Sequence, residues 1–194
     1  MGAEISFTAY FTSLFLGDAP TVALMAYNYD KLYGETPNAL GDPTPIFVDF
    51  FDKLDQQNCR VLDVGCGQGR DAIFIARQGH AVVAVDISPN GIRDLKDVAA
   101  HENLPIEGVV ADIAAYTPDG GFDIILIDRT LHMLARPTRR AVLNTMCDHV
   151  NKNGWLLIAD EAANIEDFKA IFCAHMATWR TEVSRRGYLF MRRS

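Results

Sequence analysis

Short apolar runs alternate with amphipathic segments along most of the chain. The runs are rich in Val, Ile and Leu, which is typical of buried parallel strands, and the segments between them repeat apolar residues at helical spacing. The predicted strands are residues 60–64, 81–85, 106–110, 122–127 and 155–159. The predicted helices are residues 46–57, 71–78, 90–101, 137–151 and 165–177. Strands and helices in alternation predict a parallel sheet that is covered by helices on both faces.

The two ends of the chain add to this sheet. Residues 179–184 and 188–193, joined by an Arg-Arg-Gly stretch, predict an antiparallel hairpin, which brings the strands to seven. Residues 5–16 carry an approximate apolar stripe at helical spacing. We interpret the stripe as a helix docked on the body, with a dimer contact or a substrate flap as alternatives. The chain therefore divides into an N-terminal helical extension, residues 1–45, and one α/β domain, residues 46–194.

The composition limits the classes of function. With 194 residues, 49% of them hydrophobic, the chain is long enough to bury the core of one domain. A formal net charge of −7 argues against a nucleic-acid partner, because surfaces that follow phosphates are basic. No apolar run approaches the ~20 residues of a membrane span. A signal peptide would require an early positive charge, and no Lys or Arg precedes Lys31. The cysteines form no C-x-x-C pair. We therefore expect a cytoplasmic protein with reduced thiols, no metal and no membrane partner.

A glycine-rich turn follows the first predicted strand. Gly65, Gly67 and Gly69 stand at alternate positions before a helix that starts at Asp71. Glycine permits positive φ and lets a ligand lie against the peptide N–H groups at a helix N-terminus. The nicotinamide fingerprint G-x-G-x-x-G would place its third glycine at Arg70, where a long cation is hard to reconcile with a bound dinucleotide. An NAD-dependent oxidoreductase stays open as a less favoured alternative.

Acidic residues stand at the ends of successive predicted strands. Asp86 ends the second strand, where an open α/β sheet places a carboxylate that accepts hydrogen bonds from ribose hydroxyls. Ile87 would then lie against an adenine ring. Asp63 lies two residues before the first glycine, and Asp112 closes the third strand. Because ligands of open α/β sheets bind at the carboxyl ends of the strands, these residues predict an adenosine site without choosing the cofactor.

Asp63 and the three glycines resemble motif I of the class I S-adenosylmethionine-dependent methyltransferases. The resemblance runs from about residue 46 to the end, and Gly69-Arg70-Asp71-Ala72 is similar to the small tellurite-resistance and thiopurine-type branch. It implies a three-layer, doubly wound, seven-stranded and mostly parallel sheet of Rossmann-like type, with an antiparallel last strand. It also implies S-adenosylmethionine as the cofactor and S-adenosylhomocysteine as the product.

The resemblance implies where the cofactor lies. In this family the glycine turn wraps the methionine part, the acid of motif I lies near the amino group, and the acid after the third strand binds the adenine amine. Asp128 and Arg129 directly follow the central fourth strand, so they point into the same crevice. The expected cofactor-binding residues are Asp63, Gly65, Gly67, Gln68, Gly69, Asp86, Ile87, Asp112, Ile113, Asp128 and Arg129.

The segment ahead of the first strand commonly folds over the cofactor as a lid in small methyltransferases of this class. The lid and substrate candidates are Tyr27, Tyr29, Asp30, Tyr33 and Arg129. The alternative for the tyrosines is that their rings only cover the surface. The catalytic candidates are His132 or Asp128 as a general base and Tyr33 as a donor from the lid. The alternative for His132 is a histidine beside the core with no catalytic role.

The resemblance implies methyl transfer by in-line displacement. Because no large insertion interrupts the predicted strands and helices, we expect a small-molecule acceptor. A thiolate, selenium or tellurium nucleophile would need no strong base, whereas oxygen or nitrogen would benefit from one. Arg129 would pair with an anionic acceptor or with the cofactor carboxylate. A non-catalytic cofactor-binding or scaffold module is the main alternative function. We expect no nucleic-acid partner, and the choice between monomer and homodimer stays open.

Overall fold

The computed structural model describes residues 28–194. The predicted helix at residues 5–16 and the lid candidate Tyr27 lie outside the described residues. The strands are β1 Arg60–Val64, β2 Ala81–Asp86, β3 Ile106–Val110, β4 Phe122–Asp128, β5 Val150–Ala159, β6 Trp179–Arg185 and β7 Tyr188–Arg193. The helices are α1 Tyr29–Glu35, α2 Pro45–Phe51, α3 Arg70–Arg77, α4 Pro89–Glu102, α5 Arg136–Asp148 and α6 Ile165–Ala174. Short 3-10 turns lie at Leu131–Met133 and Ala162–Asn164.

The strands form one sheet in the order β3-β2-β1-β4-β5-β7-β6. The first five strands in this order pair in parallel, and β7 is inserted antiparallel between β5 and β6. This arrangement confirms the predicted fold class. The strand order reverses between β1 and β4, and in open sheets the crevice at such a switch point binds the ligand.

Two apolar clusters cover the two faces of the sheet. Leu62 and Val64 of β1 face the cluster that contains residues of α5 and α6. Val61 faces the other cluster, to which α2, α3 and α4 contribute. This alternation follows from the period of two in a strand, and it explains why the central strands read as continuous apolar runs. Asp63 shares the face of Val61 and is only 2% exposed, so a carboxyl group lies inside the sandwich.

Several predicted boundaries were wrong. The first helix of the domain ends at Phe51 and not at residue 57, since the polar residues that follow are mostly exposed. β5 starts at Val150, so the predicted turn at residues 153–154 lies within a strand. There β5 advances five residues, from Val150 to Trp155, while β4 advances two, from Phe122 to Ile124. This irregularity lets Asn153 adopt a φ of +64° inside the element.

The last helices were also predicted too long. α5 ends at Asp148 and not at residue 151, and α6 ends at Ala174 and not at residue 177. No helix within residues 28–194 has the length and apolar character needed to cross a membrane.

Candidate functional site

Three glycines in the left-handed region build the turn between β1 and α3. Their φ angles are +77° at Gly65, +56° at Gly67 and +83° at Gly69. The N–H groups of Gly65 and Cys66 donate to the carbonyl oxygen of Val85, at 2.7 and 3.1 Å. The turn is therefore fixed to the end of β2, beside the point where the strand order reverses.

Asp86 links the end of β2 to the turn. Its Oδ2 accepts the N–H of Gly67 at 2.8 Å, and its Oδ1 accepts the N–H of Ser88 at 2.8 Å. Burial raises the pKa of Asp86, and these backbone hydrogen bonds offset part of that effect. The neighbouring Ile87 side chain is 67% exposed. The structure thus brings the predicted ribose acid and an exposed apolar side chain together beside the turn.

Helix α1 is anchored to the start of α4 through Asp30. Asp30 Oδ1 accepts hydrogen bonds from the Ser88 hydroxyl at 2.6 Å and from the Asn90 N–H at 3.0 Å. Asp30 Oδ2 accepts a third from Asn90 Nδ2 at 3.0 Å. The hydrogen bond from Ser88 contributes most to holding the pKa of Asp30 below its usual value. Asp30, a predicted lid residue, therefore fixes the position of α1.

Tyr33 lies directly on the glycine turn. Its side chain is buried between Gly67 and Gly91: a Cβ atom built on Gly67 would lie 2.6 Å from the phenol oxygen, and one on Gly91 would lie 3.1 Å from Cδ2. Burial raises the pKa of the phenol. The Tyr29 ring stands 5.9 Å from the Tyr33 ring, centroid to centroid. Tyr33 is thus a neutral hydroxyl at the turn, as a lid donor requires.

Gln68, a predicted cofactor residue, uses its amide to hold the segment from Tyr33 to Ala39. Its Nε2 donates to the carbonyl oxygens of Tyr33 at 3.3 Å and Thr36 at 3.1 Å, and to Asp94 Oδ2 at 2.8 Å. Its Oε1 accepts the N–H of Ala39 at 2.8 Å. These contacts engage both ends of the side-chain amide, so Gln68 couples the turn to residues 33–39.

Arg70 forms the centre of a buried polar network behind the turn. Its guanidinium donates to Thr44 Oγ1 at 2.9 Å, to Asp71 Oδ2 at 3.0 Å and to Asp128 Oδ2. The Thr44 hydroxyl donates to the same Asp128 oxygen at 2.6 Å, and the Thr44 N–H donates to Asp71 Oδ1 at 3.0 Å. The network joins the loop before α2 to the end of β4. It also leaves Asp128 Oδ2 occupied, so Oδ1 is the oxygen of Asp128 that is left for a ligand.

Two carboxylate oxygens in this region are buried without a hydrogen-bond partner in the described part of the chain: Asp63 Oδ2 and Asp128 Oδ1. Burial, reinforced by the charges of Asp71 and Asp128, raises the pKa of Asp63 well above its usual value. Burial also raises the pKa of Asp128, against the effects of Thr44 and Arg70. The region holds more carboxylates than cations, so it favours a positively charged group.

The remaining predicted cofactor residues occupy different environments. Asp112 is exposed at the end of β3, and its Oδ1 accepts the N–H of Ala114 at 2.9 Å. Ile113 is 8% exposed and packs in the core, so its side chain anchors the segment that follows β3. Arg129 adopts a φ of +50°, and its side chain is 71% exposed, with Nε 3.9 Å from Asp128 Oδ1. The exposed side chain of Arg129 can therefore extend toward a ligand, whereas that of Asp128 is buried.

His132 lies on the 3-10 turn that follows β4. The turn begins beside Thr130, whose hydroxyl donates to the Val64 carbonyl oxygen at 3.3 Å and packs against Gly65. The His132 N–H donates to Asp160 Oδ2 at 3.0 Å. The structure thus places Thr130 on the first glycine of the turn and ties His132 to the end of β5. Across residues 28–194, no three His, Cys, Asp or Glu side chains are grouped in a way that could hold a metal ion.

Sequence reasoning missed the roles of Thr44, Arg70 and Asp160. Thr44 and Asp128 are 84 positions apart, and no pattern in the sequence indicates that they meet. Asp160 closes β5, so its strand-end position was a usable signal. Sequence reasoning used Arg70 to argue against a dinucleotide and for the branch resemblance, and did not show that its guanidinium links the acids around it.

Comparison with known proteins identifies the family. Residues 61–154 match the family described as a methyltransferase domain. The probable S-adenosyl-L-methionine-dependent methyltransferase TehB of Haemophilus influenzae is 33% identical over 132 residues, which are 68% of this chain and 42% of TehB. The chain belongs to the class I S-adenosylmethionine-dependent methyltransferases. The predicted family is thereby confirmed, and the likeness to TehB supports a TehB-type branch of these methyltransferases.

Two further methyltransferases are similar to this one. The 2-heptyl-1-hydroxyquinolin-4(1H)-one methyltransferase of Mycobacteroides abscessus is 33% identical over 123 residues, 62% of this chain and 49% of that protein. The crystal structure of magnesium protoporphyrin IX methyltransferase from Synechocystis PCC 6803 with bound SAM superposes with a TM-score of 0.61 at 21% identity, covering 77% of each chain. The latter likeness shows the fold. The chain spans less than half the length of TehB and of the hydroxyquinolone methyltransferase.

S-adenosylmethionine is the cofactor of this methyltransferase family, and the residues around the turn fit it. The unpartnered oxygens of Asp63 and Asp128 suit a ligand that carries ammonium and sulfonium charges. The exposed Ile87 beside Asp86 suits an adenine ring next to its ribose. The NAD alternative and the non-catalytic alternative gain no support from these matches.

Proposed function

We propose that this chain transfers a methyl group from S-adenosylmethionine to a small-molecule acceptor by in-line displacement. The observation that carries the proposal is the bond between Asp86 and the N–H of Gly67, which unites the ribose acid with the glycine turn at the switch point. The predicted division into a lid extension, residues 1–45, and a cofactor domain, residues 46–194, is part of the proposal. The contacts of Asp30 and Gln68 support it, since they hold α1 over the turn.

In this proposal the chain's own residues bind the cofactor and orient the acceptor. The cofactor supplies an electrophilic methyl group on a sulfonium sulfur. Asp63 and Asp128 would face its positive charges, Asp86 its ribose hydroxyls, Ile87 its adenine face and Asp112 the adenine amine. Tyr33 would cover the methionine part and exclude water. Alignment of the acceptor and exclusion of water are the main contributions that such a site makes to this kind of displacement.

The acceptor that the site supports best is a small molecule with a hydroxyl or thiol group. His132 is the base candidate on the turn after β4, and its ring Nδ1 makes no hydrogen bond within the described residues. Arg129, with its exposed side chain, suits an acceptor that also carries a negative charge. The relative from Mycobacteroides abscessus, named as a hydroxyquinolone methyltransferase, supports a hydroxylated acceptor of this size.

The finer expectations about partners and location belong to the same proposal. We propose a cytoplasmic protein that binds no nucleic acid, and the net charge of −7 supports the second part of this proposal. Whether the functional unit is a monomer or a homodimer is a question for sedimentation.

The proposal is tested first by cofactor binding. Replacing Asp86 with Ala removes charge-assisted hydrogen bonds to ribose, so affinity for S-adenosylmethionine should fall by about 1 to 3 kcal/mol, roughly 5- to 150-fold. Calorimetry gives this affinity directly. The matched control is Asp123→Ala, because Asp123 also accepts a backbone N–H, that of Arg60 at 2.9 Å, but at the amino end of the sheet. Equal affinity in wild type and Asp86→Ala, or tight binding of NAD, would refute the placement.

Catalysis is tested with radiolabelled S-adenosylmethionine and a panel of acceptors. The panel includes 2-heptyl-1-hydroxyquinolin-4(1H)-one, thiophenol, tellurite, a primary amine and a carboxylate. We expect transfer to the hydroxyl or thiol probes, reduced in His132→Gln for the hydroxyl acceptor. Tight cofactor binding with no transfer to any probe would favour the non-catalytic module.

A further inference from the structure

Asp160 is a buried carboxylate that joins the ends of two strands. Its side chain is fully buried at the end of β5. Oδ1 accepts the N–H of Glu161 at 2.8 Å and the side-chain amide of Asn164 at 2.6 Å. Oδ2 accepts the N–H of His132, on the turn after β4, at 3.0 Å. One carboxylate therefore fixes the backbone from which the His132 ring projects.

The His132 ring is oriented relative to this carboxylate in a specific way. Its Nδ1 is buried and has no hydrogen-bond partner in the described part of the chain, and it stands 3.9 Å from Asp160 Oδ2. The side chain as a whole is 30% exposed, so the opposite edge of the ring, with Nε2, is the part that an acceptor can reach. A buried ring nitrogen without a hydrogen-bond partner lowers the stability of the folded state. Asp160 Oδ2, 3.9 Å away, is a carboxylate oxygen that could accept a hydrogen bond from it.

We propose that Asp160 is a positioning residue that holds the proton of neutral His132 on Nδ1 and so directs the Nε2 lone pair toward the methyl acceptor. A small tightening of the turn would convert the 3.9 Å separation into a hydrogen bond, and such bonds are often long before the substrate is bound. The partner of one ring nitrogen decides which tautomer is present. The proposal rests on the proposed methyl transfer and deepens it.

This arrangement selects the chemical class of acceptor. An acceptor X–H gives its proton to Nε2 as its lone pair forms the X–CH3 bond, and the electron pair of the broken C–S bond stays on sulfur. His132 then carries a positive charge, which the Asp160 carboxylate stabilises. The site therefore fits a weakly acidic hydroxyl or thiol, which must lose a proton, better than an acceptor that reacts as a preformed anion.

The test uses nitrogen-15 NMR of the histidine rings, with S-adenosylhomocysteine as the probe ligand. Spectra are recorded at about pH 9, where an ordinary imidazole is neutral, with and without the probe. His132→Gln assigns the resonances. We expect wild-type His132 as the Nδ1–H tautomer, and a shift toward the Nε2–H tautomer in Asp160→Asn. Calorimetry with S-adenosylhomocysteine should give the same affinity for Asp160→Asn and wild type.

The matched control is Asn164→Ala, which removes a hydrogen bond to the other oxygen of Asp160. It should lower stability yet leave the tautomer of His132 unchanged, so it separates a structural role of the carboxylate from the positioning role. An Nε2–H tautomer in the wild-type protein overturns the proposal even if Asp160→Asn does not fold. The same tautomer in wild type and folded Asp160→Asn also overturns it. Failure of methyl transfer with the expected tautomers would count against the proposed function alone.

Discussion

Each glycine of the turn is approached by a side chain from a different part of the chain. Thr130 packs on Gly65, Tyr33 on Gly67 and Leu95 on Gly69. Glycine is thus needed at these positions for two reasons, the left-handed backbone and the space that another residue fills. At Gly67 that residue is Tyr33 of α1, so this position couples the turn to α1.

We predict that Gly67→Ala separates these two reasons. The left-handed φ costs an alanine about 1 to 2 kcal/mol of stability, and the new Cβ would also lie 2.6 Å from the Tyr33 phenol oxygen. Helix α1 must shift, so affinity for S-adenosylhomocysteine in calorimetry should fall at least tenfold, about 1.4 kcal/mol. The control is Gly79→Ala, which has a φ of +89° but nothing within 4 Å of its Cβ. Equal affinity in both variants would contradict the coupling.

At the scale of single residues, the sequence predicted positions better than partners. Asp63, Asp86 and Asp112 do lie at the carboxyl ends of neighbouring strands, because strand periodicity and the α/β pattern determine those positions. Their environments differ: one acid is buried, one accepts two backbone N–H groups and one is exposed. Burial and hydrogen bonding depend on contacts distant in sequence, which a single chain does not encode as a local pattern.

At the scale of elements, helix α1 is held by few contacts. It is seven residues long, and Tyr33 is its buried residue. A helix this short is marginal by itself, so its order depends on its partners. Those partners include Ser88 and Asn90 at the start of α4 and the amide of Gln68. We therefore infer that α1 opens by local unfolding while the sheet stays intact.

We predict that Asp30→Ala releases α1. The variant loses the three side-chain hydrogen bonds to Ser88 and Asn90, so amide hydrogen exchange over residues 29–36 should become at least several-fold faster, with β1 and β4 unchanged. Hydrogen-exchange mass spectrometry measures this by segment. The control Glu35→Ala removes only an exposed ion pair with Lys31 and should leave exchange as in wild type. Faster exchange throughout the sheet would show instead that α1 is not an independent unit.

The elements themselves were largely predictable, and their ends were not. Strands β1 and β3 match the predicted residues, since each carries β-branched or other apolar residues over a short stretch. β5 starts five residues earlier than predicted, at Val150, because Val150 pairs with Phe122 of β4 despite the local turn signal of Asn153 and Gly154. The contacts between α1 and α4 could not be predicted, because hydrophobic periodicity identifies the apolar face of one element and not the element that packs on it.

At the scale of the whole molecule, the acids fall into two groups. Asp63, Asp86 and Asp128, near the switch point, have raised pKa values because of burial. Asp167, on the surface, has its pKa lowered to about 2, chiefly by a hydrogen bond from Arg136. A lowered pKa adds stability that is lost as the pH falls toward that value. A raised pKa acts in the opposite sense, since the folded state keeps protons that the unfolded state has released.

The raised group should make the free energy of unfolding decrease as the pH rises. The loss begins near the ordinary carboxyl pKa of 3.8 and continues up to the raised folded values, because over that window the folded state binds more protons. A bound ligand with positive charge would offset the effect. S-adenosylmethionine should therefore stabilise the protein more than S-adenosylhomocysteine at neutral pH.

We predict that Asp63→Asn weakens this pH dependence and raises stability. Asp63, Asp71 and Asp128 all interact with Arg70, and the substitution removes the buried charge of Asp63 from this group. The free energy of unfolding at pH 7 should therefore increase by about 1 kcal/mol. Urea unfolding at several pH values from acid to neutral gives both the value and the slope. The control Asp112→Asn changes an exposed acid at the end of β3 and should leave both nearly unchanged. Cofactor affinity should fall in Asp63→Asn, since the charge that opposes folding is the one that faces the ligand; lower stability at pH 7 would mean that Asp63 is instead a net stabilising partner of Arg70.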